Sequence, residues 1–284
     1  MANCVNLMTL FEELQGLMVK YRFRPEKKLS QFFCVNEALL QYLVNEGKLS
    51  PKDTVLEIGP GIGFLTRKLL DTSCKVVAIE KDETLYEALG QEFAKEIKSG
   101  KLKLICADAL EENFDKLGIT KVVSLPPYHI SSELVSKITF SKAKRAVMVF
   151  DKGFVEKLSA FEGFTEYGYL TAFVNLNAKV EVKESIEASS FFPAPNCVSS
   201  VVTFDFAAKN NSKEYFAFLK ELFRHKNKDL QRALKQAAPF LQKTLEWKEN
   251  IEVKFDKLKF ANKKVYAMSP QELLKAYTIL TSKK

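Results

Sequence analysis

Five short apolar runs rich in β-branched residues recur through the first half of the chain: TVLEI (54–58), KVVAIE (75–80), LKLICAD (102–108), KVVSL (121–125) and RAVMVF (145–150). Between them lie stretches whose apolar residues repeat at helical spacing, among them FLTRKLLD, ETLYEALGQEFAKEIK and SSELVSKITF. Strands alternating with helices predict an α/β fold with a parallel sheet covered on both faces. After DKGFVEKLSA come two longer strand-like stretches, YLTAFVNLNAKVEVKESI and SSVVTFDF, with FFPAPN between them. These predict an antiparallel pair at the edge or end of the sheet.

The character changes beyond Phe206. AAKNNSK (207–213) reads as a linker, and the remainder alternates apolar and basic residues at helical spacing, with Ser269-Pro270 and Glu272 marking a helix start. Two domains are expected, residues 1–206 around the sheet and a small all-helical domain over 207–284, which suits a chain of 284 residues. No apolar run approaches the roughly 20 residues of a membrane span. Glu12 and Glu13 interrupt the N-terminal apolar stretch, unlike a signal peptide, so the expectation is a cytoplasmic protein with no membrane partner and, by default, a monomer. Five cysteines without a C-x-x-C pair and two histidines do not suggest a metal site. A formal charge of +8 favours a polyanionic partner, although a lysine-rich composition also has other causes.

The first chemical signal is VLEIGPGIGFLTRKLL, which sets Glu57, Gly59, Gly61 and Gly63 at a strand-to-helix turn. Glycines at this spacing permit a tight turn and a close ligand. Glu80 ends the next strand, where a carboxylate can accept ribose hydroxyls, and Asp108 ends the third, where it can accept from an adenine amine. A carboxylate inside the turn would repel a pyrophosphate and attract a cation. The three acids therefore favour S-adenosylmethionine, with its ammonium and sulfonium, over a dinucleotide.

The second signal is SLPPYHIS (124–131), at the tip of the fourth strand. Methyltransferases acting on an exocyclic amine of a base carry Asn/Asp-Pro-Pro-Tyr/Phe there. The ring stacks on the extruded base, and the polar side chain and a backbone carbonyl accept from the amine. Proline fixes the backbone so that the carbonyl points into the pocket. Pro126, Pro127 and Tyr128 match this pattern and Leu125 does not.

With RPEKKLSQFFCVNEALL, EYGYL, FFPAPNCVSSVV and LFRHKNKDLQRAL in the same order, the chain resembles the small-subunit ribosomal RNA adenine dimethyltransferases, their archaeal and eukaryotic branches above all, from about residue 20 onward. The resemblance implies a seven-stranded, Rossmann-like methyltransferase sheet with a helical domain that helps hold ribosomal RNA. It also implies N6 methylation of adenosines near the 3′ end of that RNA, alone or in an assembling small subunit. Cofactor contacts would come from Gln31, Phe33, Glu57, Gly59, Gly61, Glu80, Lys81, Asp108 and Ala109, and the target base would meet Leu125, Pro126, Pro127 and Tyr128. RNA phosphates would meet Arg22, Arg24, Lys27 and Lys28 in one basic run, and Arg224, Lys226 and Lys228 in another.

The departures from the family pattern are Ser30 for Gly, Leu125 for Asn, VFDKGF (149–154) for a Tyr-Gln-x-Glu-Phe stretch, and Tyr169 for Arg. Losing a charge-positioning hydrogen bond such as that of the Asn costs on the order of a hundredfold in rate, about 3 kcal/mol. Two readings follow: a base methyltransferase with an atypical pocket, or an RNA-binding assembly factor that keeps the fold without useful catalysis. The retained acids favour the enzyme.

Overall fold

The computed structural model describes residues 8–26, 30–207, 212–244, 258 and 260–282. Its helices and strands in chain order are α1 (Leu10–Tyr21), β1 (Phe33–Cys34), α2 (Glu37–Gly47), β2 (Thr54–Ile58), α3 (Phe64–Asp71), β3 (Lys75–Glu80), α4 (Glu83–Glu92), α5 (Ala94–Lys98), β4 (Leu102–Cys106), β5 (Lys121–Ser124), α6 (Ser131–Phe140), β6 (Arg145–Asp151), α7 (Lys152–Leu158), α8 (Tyr169–Asn177), β7 (Ala178–Ile186), β8 (Phe191–Phe192), β9 (Ser199–Phe206), α9 (Lys213–Leu222), α10 (Leu230–Thr244) and α11 (Pro270–Thr281). Among the described residues no helix is long and apolar enough to cross a membrane.

Seven strands form one sheet in the order β4-β3-β2-β5-β6-β9-β7, and β1 pairs with β8 apart from it. The strands from β4 through β6 are parallel, whereas β9 runs antiparallel to β6. The seven-stranded α/β sheet expected from the sequence is present. β6 is buried at every position from Arg145 to Phe150, as a strand covered on both faces must be. Leu40, Leu43 and Leu69, from α2 and α3, belong to one apolar core with Val55, Val123 and Val147 of the strands.

The chain enters the sheet at β2, builds outward through β3 and β4, and returns on the other side of β2 with β5. Connections therefore diverge at the carboxyl ends of β2 and β5, which opens a crevice there. The ladder between these strands is short, pairing Val55 with Lys121 and Leu56 with Val122. Beyond it the buried Ser124 hydroxyl takes over, accepting from Ile58 N at 3.2 Å and donating to Ile58 O at 2.7 Å.

Two sequence expectations change. The stretch 169–186 is not one strand: α8 occupies its first half and β7 its second. Thr171 through Val174 are all buried, so their pattern carries no period, and the Phe173 ring packs edge-on against Phe216 of α9 at 4.7 Å. The helix expected over 83–98 breaks at Phe93, which is buried beside the turn before α3. A Cβ built on Gly63 would lie 2.3 Å from the Phe93 ring, so that ring needs a glycine opposite it.

The chain divides into two compact units, one of residues 1–155 with 181–205, the other of 156–180 with 206–284. The segment 156–180, which the sequence reading assigns to the first domain, thus groups with the C-terminal helices. In that second unit Tyr215 is fully buried, its ring 5.2 Å from that of Tyr277. α11 opens on the expected cap, where Ser269 accepts from Glu272 N and Glu272 accepts from Ser269 N.

Within the first unit, buried Arg145 joins α2, β6 and β9. Its Nε donates to Glu46 O at 2.7 Å, Nη2 to Glu46 Oε2 at 3.2 Å, and Nη1 to Asp205. Arg145→Met would remove the donor to the part-buried Glu46 carbonyl and carboxylate and to the half-exposed Asp205 carboxylate, and an expected loss of about 1 to 2 kcal/mol can be read from urea unfolding. An unchanged midpoint would show that solvent replaces these bonds.

Candidate functional site

One cavity at the carboxyl edge of the sheet is lined by Gln31, Phe33, Glu57, Gly59, Gly61, Glu80, Leu125 and Pro127, together with Phe32, Ile62 and other apolar neighbours. Most of the cofactor-side and base-side residues expected from the sequence therefore share one space. Lys81, Asp108, Ala109, Pro126 and Tyr128 are not among its lining.

The turn between β2 and α3 shapes this cavity. Gly59, Gly61 and Gly63 have φ of +65°, +62° and +87°, a region closed to most side chains. Phe33 of β1 lies so close that a Cβ on Gly61 would come within 2.9 Å of its ring. Glu80, only 6% exposed, holds the turn from β3: Oε2 accepts from Gly61 N at 3.1 Å, and Oε1 accepts from the N–H groups of Lys81 and Asp82 at 2.8 and 2.9 Å. Burial raises the Glu80 pKa despite these donors. A carboxylate has about four acceptor positions, so one stays open toward the cavity.

Glu57 is 1% exposed and accepts from Thr66 Oγ1 of α3 at 2.6 Å. Burial pushes its pKa up to about 8, with the Thr66 hydroxyl opposing and the Glu80 charge reinforcing the shift. The sequence pattern implies a standing negative charge in an open turn at Glu57. The structure makes it a buried acid that a cation would ionise.

The adenine-side residues form their own cluster. Lys81 Nζ lies 2.8 Å from Asp108 Oδ2, and Asp108 Oδ1 accepts from Leu110 N at 2.8 Å. The Lys81 contact and then the Leu110 N–H hold the Asp108 carboxyl below its usual range. Ala109 beside it is buried. Gln31 reaches across to donate from Nε2 to Asp82 Oδ2 at 3.1 Å, while its Oε1 accepts from Glu26 N. Asp82 also caps α4, so one carboxylate fixes both the helix and Gln31. Ser30, a departure from the family pattern expected from the sequence, has φ of +54°, a left-handed conformation that glycine adopts without steric cost.

On the base side, β5 ends at Ser124, and Leu125 and Pro127 face the cavity. Pro127 meets the glycine turn, its Cδ 3.3 Å from a Cβ built on Gly59. Pro126 is buried. The Tyr128 hydroxyl lies 2.7 Å from Ser199 Oγ of β9, and burial pushes its pKa up to about 12. Its ring rests at 5.8 Å and 33° against that of Phe32. Ser199 and Phe32 are not legible in the sequence, because each meets Tyr128 from a distant part of the chain, and Thr66 is not, because its bond to Glu57 exists only once α3 folds back on β2. His129 is exposed and lies 3.4 Å from Ser30 Oγ.

Of the basic residues expected to meet RNA, Arg22 and Arg24 are exposed on either side of buried Phe23. Lys27 and Lys28 lie outside the described residues. In the second unit Arg224 contacts Glu221 at 3.3 Å. Lys226 is committed to the backbone, donating to Thr165 O at 2.7 Å and Tyr167 O at 3.4 Å. Lys228 lines an open cleft with Arg232, Lys235, Lys264, Asp229 and the amides of Asn227, Gln236 and Asn262; Arg232 Nε lies 3.3 Å from Asp229 Oδ2, and Lys228 donates to Gln236 Oε1 at 2.5 Å. Arg232 belongs to the basic run FRHKNKDLQR (223–232), whereas Lys235 and Lys264 lie outside both basic runs.

The family model for ribosomal RNA adenine dimethylase matches residues 22–270. A probable ribosomal RNA small subunit methyltransferase A of Thermococcus gammatolerans is 34% identical over 264 residues, covering 93% of this chain and 92% of its own length. The protein of that name from Methanopyrus kandleri is 34% identical over 232 residues, 80% of this chain and 82% of its own. A dimethyladenosine transferase from Plasmodium falciparum superposes with a TM-score of 0.74 at 27% identity, over 86% of this chain and 95% of that one.

The buried acid predicts a pH signature. Folded Glu57 keeps a proton that the unfolded chain releases above about pH 4.3, so stability should fall as pH rises from there through about 8. Glu57→Gln should flatten that slope, so that its stability relative to the parent rises by on the order of 3 kcal/mol between pH 5.5 and 8.5, measured by urea unfolding. Equal slopes would mean that Glu57 titrates as it does in the unfolded chain.

Proposed function

The chain belongs to the ribosomal RNA adenine dimethylase family, and on that footing we propose that it transfers methyl groups from S-adenosylmethionine to N6 of adenosines near the 3′ end of small-subunit ribosomal RNA. The observation that carries this reading is the single cavity shared by Glu57 and Glu80 on one side and by Leu125 and Pro127 on the other. Among the described residues its lining holds two carboxyl groups and no basic side chain. Such a donor set suits a ligand with positive charge and hydroxyl groups, and disfavours a pyrophosphate. When bound, the cofactor supplies an electrophilic methyl group on sulfur.

The residues then divide the work. Glu80 accepts from the ribose at its remaining lone pair, and Asp108 turns from Lys81 to the adenine amine. Glu57 ionises against the amino-acid end, in keeping with its position beneath the glycine turn. Pro127, packed on Gly59, sets how far the target base can enter. Its carbonyl already accepts from Ile130 N and that of Tyr128 from Ser131 Oγ, which leaves the carbonyl of Pro126 as the acceptor for the target amine. Tyr128, anchored through Ser199, offers its ring to the base, with Phe32 as its neighbour.

The RNA itself is held electrostatically in this reading. Arg22 and Arg24 supply one basic edge, and Lys228 with Arg232, Lys235 and Lys264 supply a cleft of the size of a phosphate run. Lys226 is given a lesser part, since the backbone already engages it, whereas Arg224 and Arg232 each keep an exposed guanidinium beside one carboxylate, Glu221 and Asp229.

The test is mass spectrometry of adenosines after hypomethylated small subunits are incubated with the protein and labelled cofactor. Dimethyladenosine is expected; binding without any methylation would favour an assembly factor that only keeps the fold. In the same assay Leu125→Asn should raise the methylation rate by about tenfold to a hundredfold, because it restores an acceptor for the amine. No gain would show that the carbonyl suffices. Replacing Lys228 and Arg232 by Ala should reduce the slope of log affinity against log salt by about 1 to 2. An unchanged slope would assign the cleft to ordinary solvated surface.

A further inference from the structure

The loop joining α7 to α8 does not share the basic character of the chain around it. Phe161 and Phe164 stand 70% and 61% exposed, and with Glu156, Ser159, Ala160 and Glu166 they line an open depression of about 530 Å³. Glu156, Glu162 and Glu166 are all exposed, and from residue 159 to 168 the sequence contains no Lys, Arg or His. Lys157 is the one exposed base adjoining the loop on α7. This occurs in a chain whose formal charge is +8.

The loop is also built to hold its shape. Gly163, at φ of +96°, donates its N–H to Tyr266 O at 2.9 Å. Lys226 spends its ammonium on the carbonyls of Thr165 and Tyr167. Tyr167 is buried with its ring edge-on to Phe223 at 5.6 Å. These ties hold the loop between and after the two phenylalanines, and Phe164 N donates to Phe161 O at 3.2 Å, so their exposure follows from the fold. Fixed exposed aromatic side chains are what an interface uses as anchors, and large apolar groups left in water point to a partner.

We propose that the 159–168 loop docks a cationic protein segment carrying an apolar side chain. Charge selects this partner over nucleic acid. Carboxylates beside both rings repel a phosphodiester chain, which would otherwise be the natural stacking partner of exposed aromatics. The same carboxylates attract Lys- and Arg-rich segments and set their register on the rings. Because the substrate RNA is read above as part of an assembling small subunit, the segment belongs to a basic protein of that particle; this clause rests on the proposed function.

The experiment places p-benzoylphenylalanine in place of Phe164 in the full chain, mixes it with hypomethylated small subunits and irradiates. Crosslinked Lys- or Arg-rich protein peptides, with a yield that Glu162→Lys and Glu166→Lys together lower about tenfold, are the expected result. Crosslinks only to RNA, only to a second copy of the chain, or to nothing overturn the proposal. Methylation is read in the same tube. Methylated subunits without protein crosslinks sink the docking surface alone, whereas subunits neither bound nor methylated sink the functional reading as well.

Discussion

The carboxylate of Glu80 is the contact on which the site depends. Strand β3 ends in a buried acid that three backbone N–H groups must satisfy, and one of them belongs to Gly61 in the turn beyond the neighbouring strand. An unpaired buried carboxylate is costly, so the turn is drawn against β3 and the cavity floor follows from that. Only glycines can follow the path this imposes, with Phe33 and Phe93 closing on the places where side chains would be. The glycine spacing, the second acid and the aromatic neighbours are therefore one constraint.

The reversal of strand order beside β2 does the rest. It sets the ends of β2 and β5 apart, and Ser124 bridges them through its side chain where the ladder stops. The cofactor-side acids reach the crevice from β2 and β3, and the Pro-Pro-Tyr segment reaches it from β5. Both acids are buried, and burial raises the pKa of each, that of Glu57 to about 8. In the proposed reaction, binding of a cationic cofactor would therefore favour ionisation of Glu57.

The two ends of the proposed reaction differ in how they are supported. The cofactor end is polar and cross-linked by hydrogen bonds, whereas the base end is lined by Leu125, Pro127 and Phe32. An apolar wall positions a base by shape and leaves its amine to a carbonyl. Surface charge shows a similar division in the second unit, with a basic cleft around Lys228 and an acidic, aromatic loop at residues 159–168.

The alternation of apolar runs with helical spacing specified the sheet, because a strand buried on both faces has no other way to be written in sequence. The glycine turn, Glu80, Asp108 and the Pro-Pro-Tyr segment were equally legible, since each depends on residue type at a fixed distance along the chain. Residues 169–186 were not, because a run buried on every side has no period; packing against Phe216 decided that half of it is helix. Tertiary structure alone decided that Glu57 is a protonated acid under Thr66, that Lys226 is a brace and not a free cation, and that Phe32 meets Tyr128. Side-chain chemistry is carried by the sequence, but charge state and partnership depend on burial and on neighbours, and those exist only once the chain has folded.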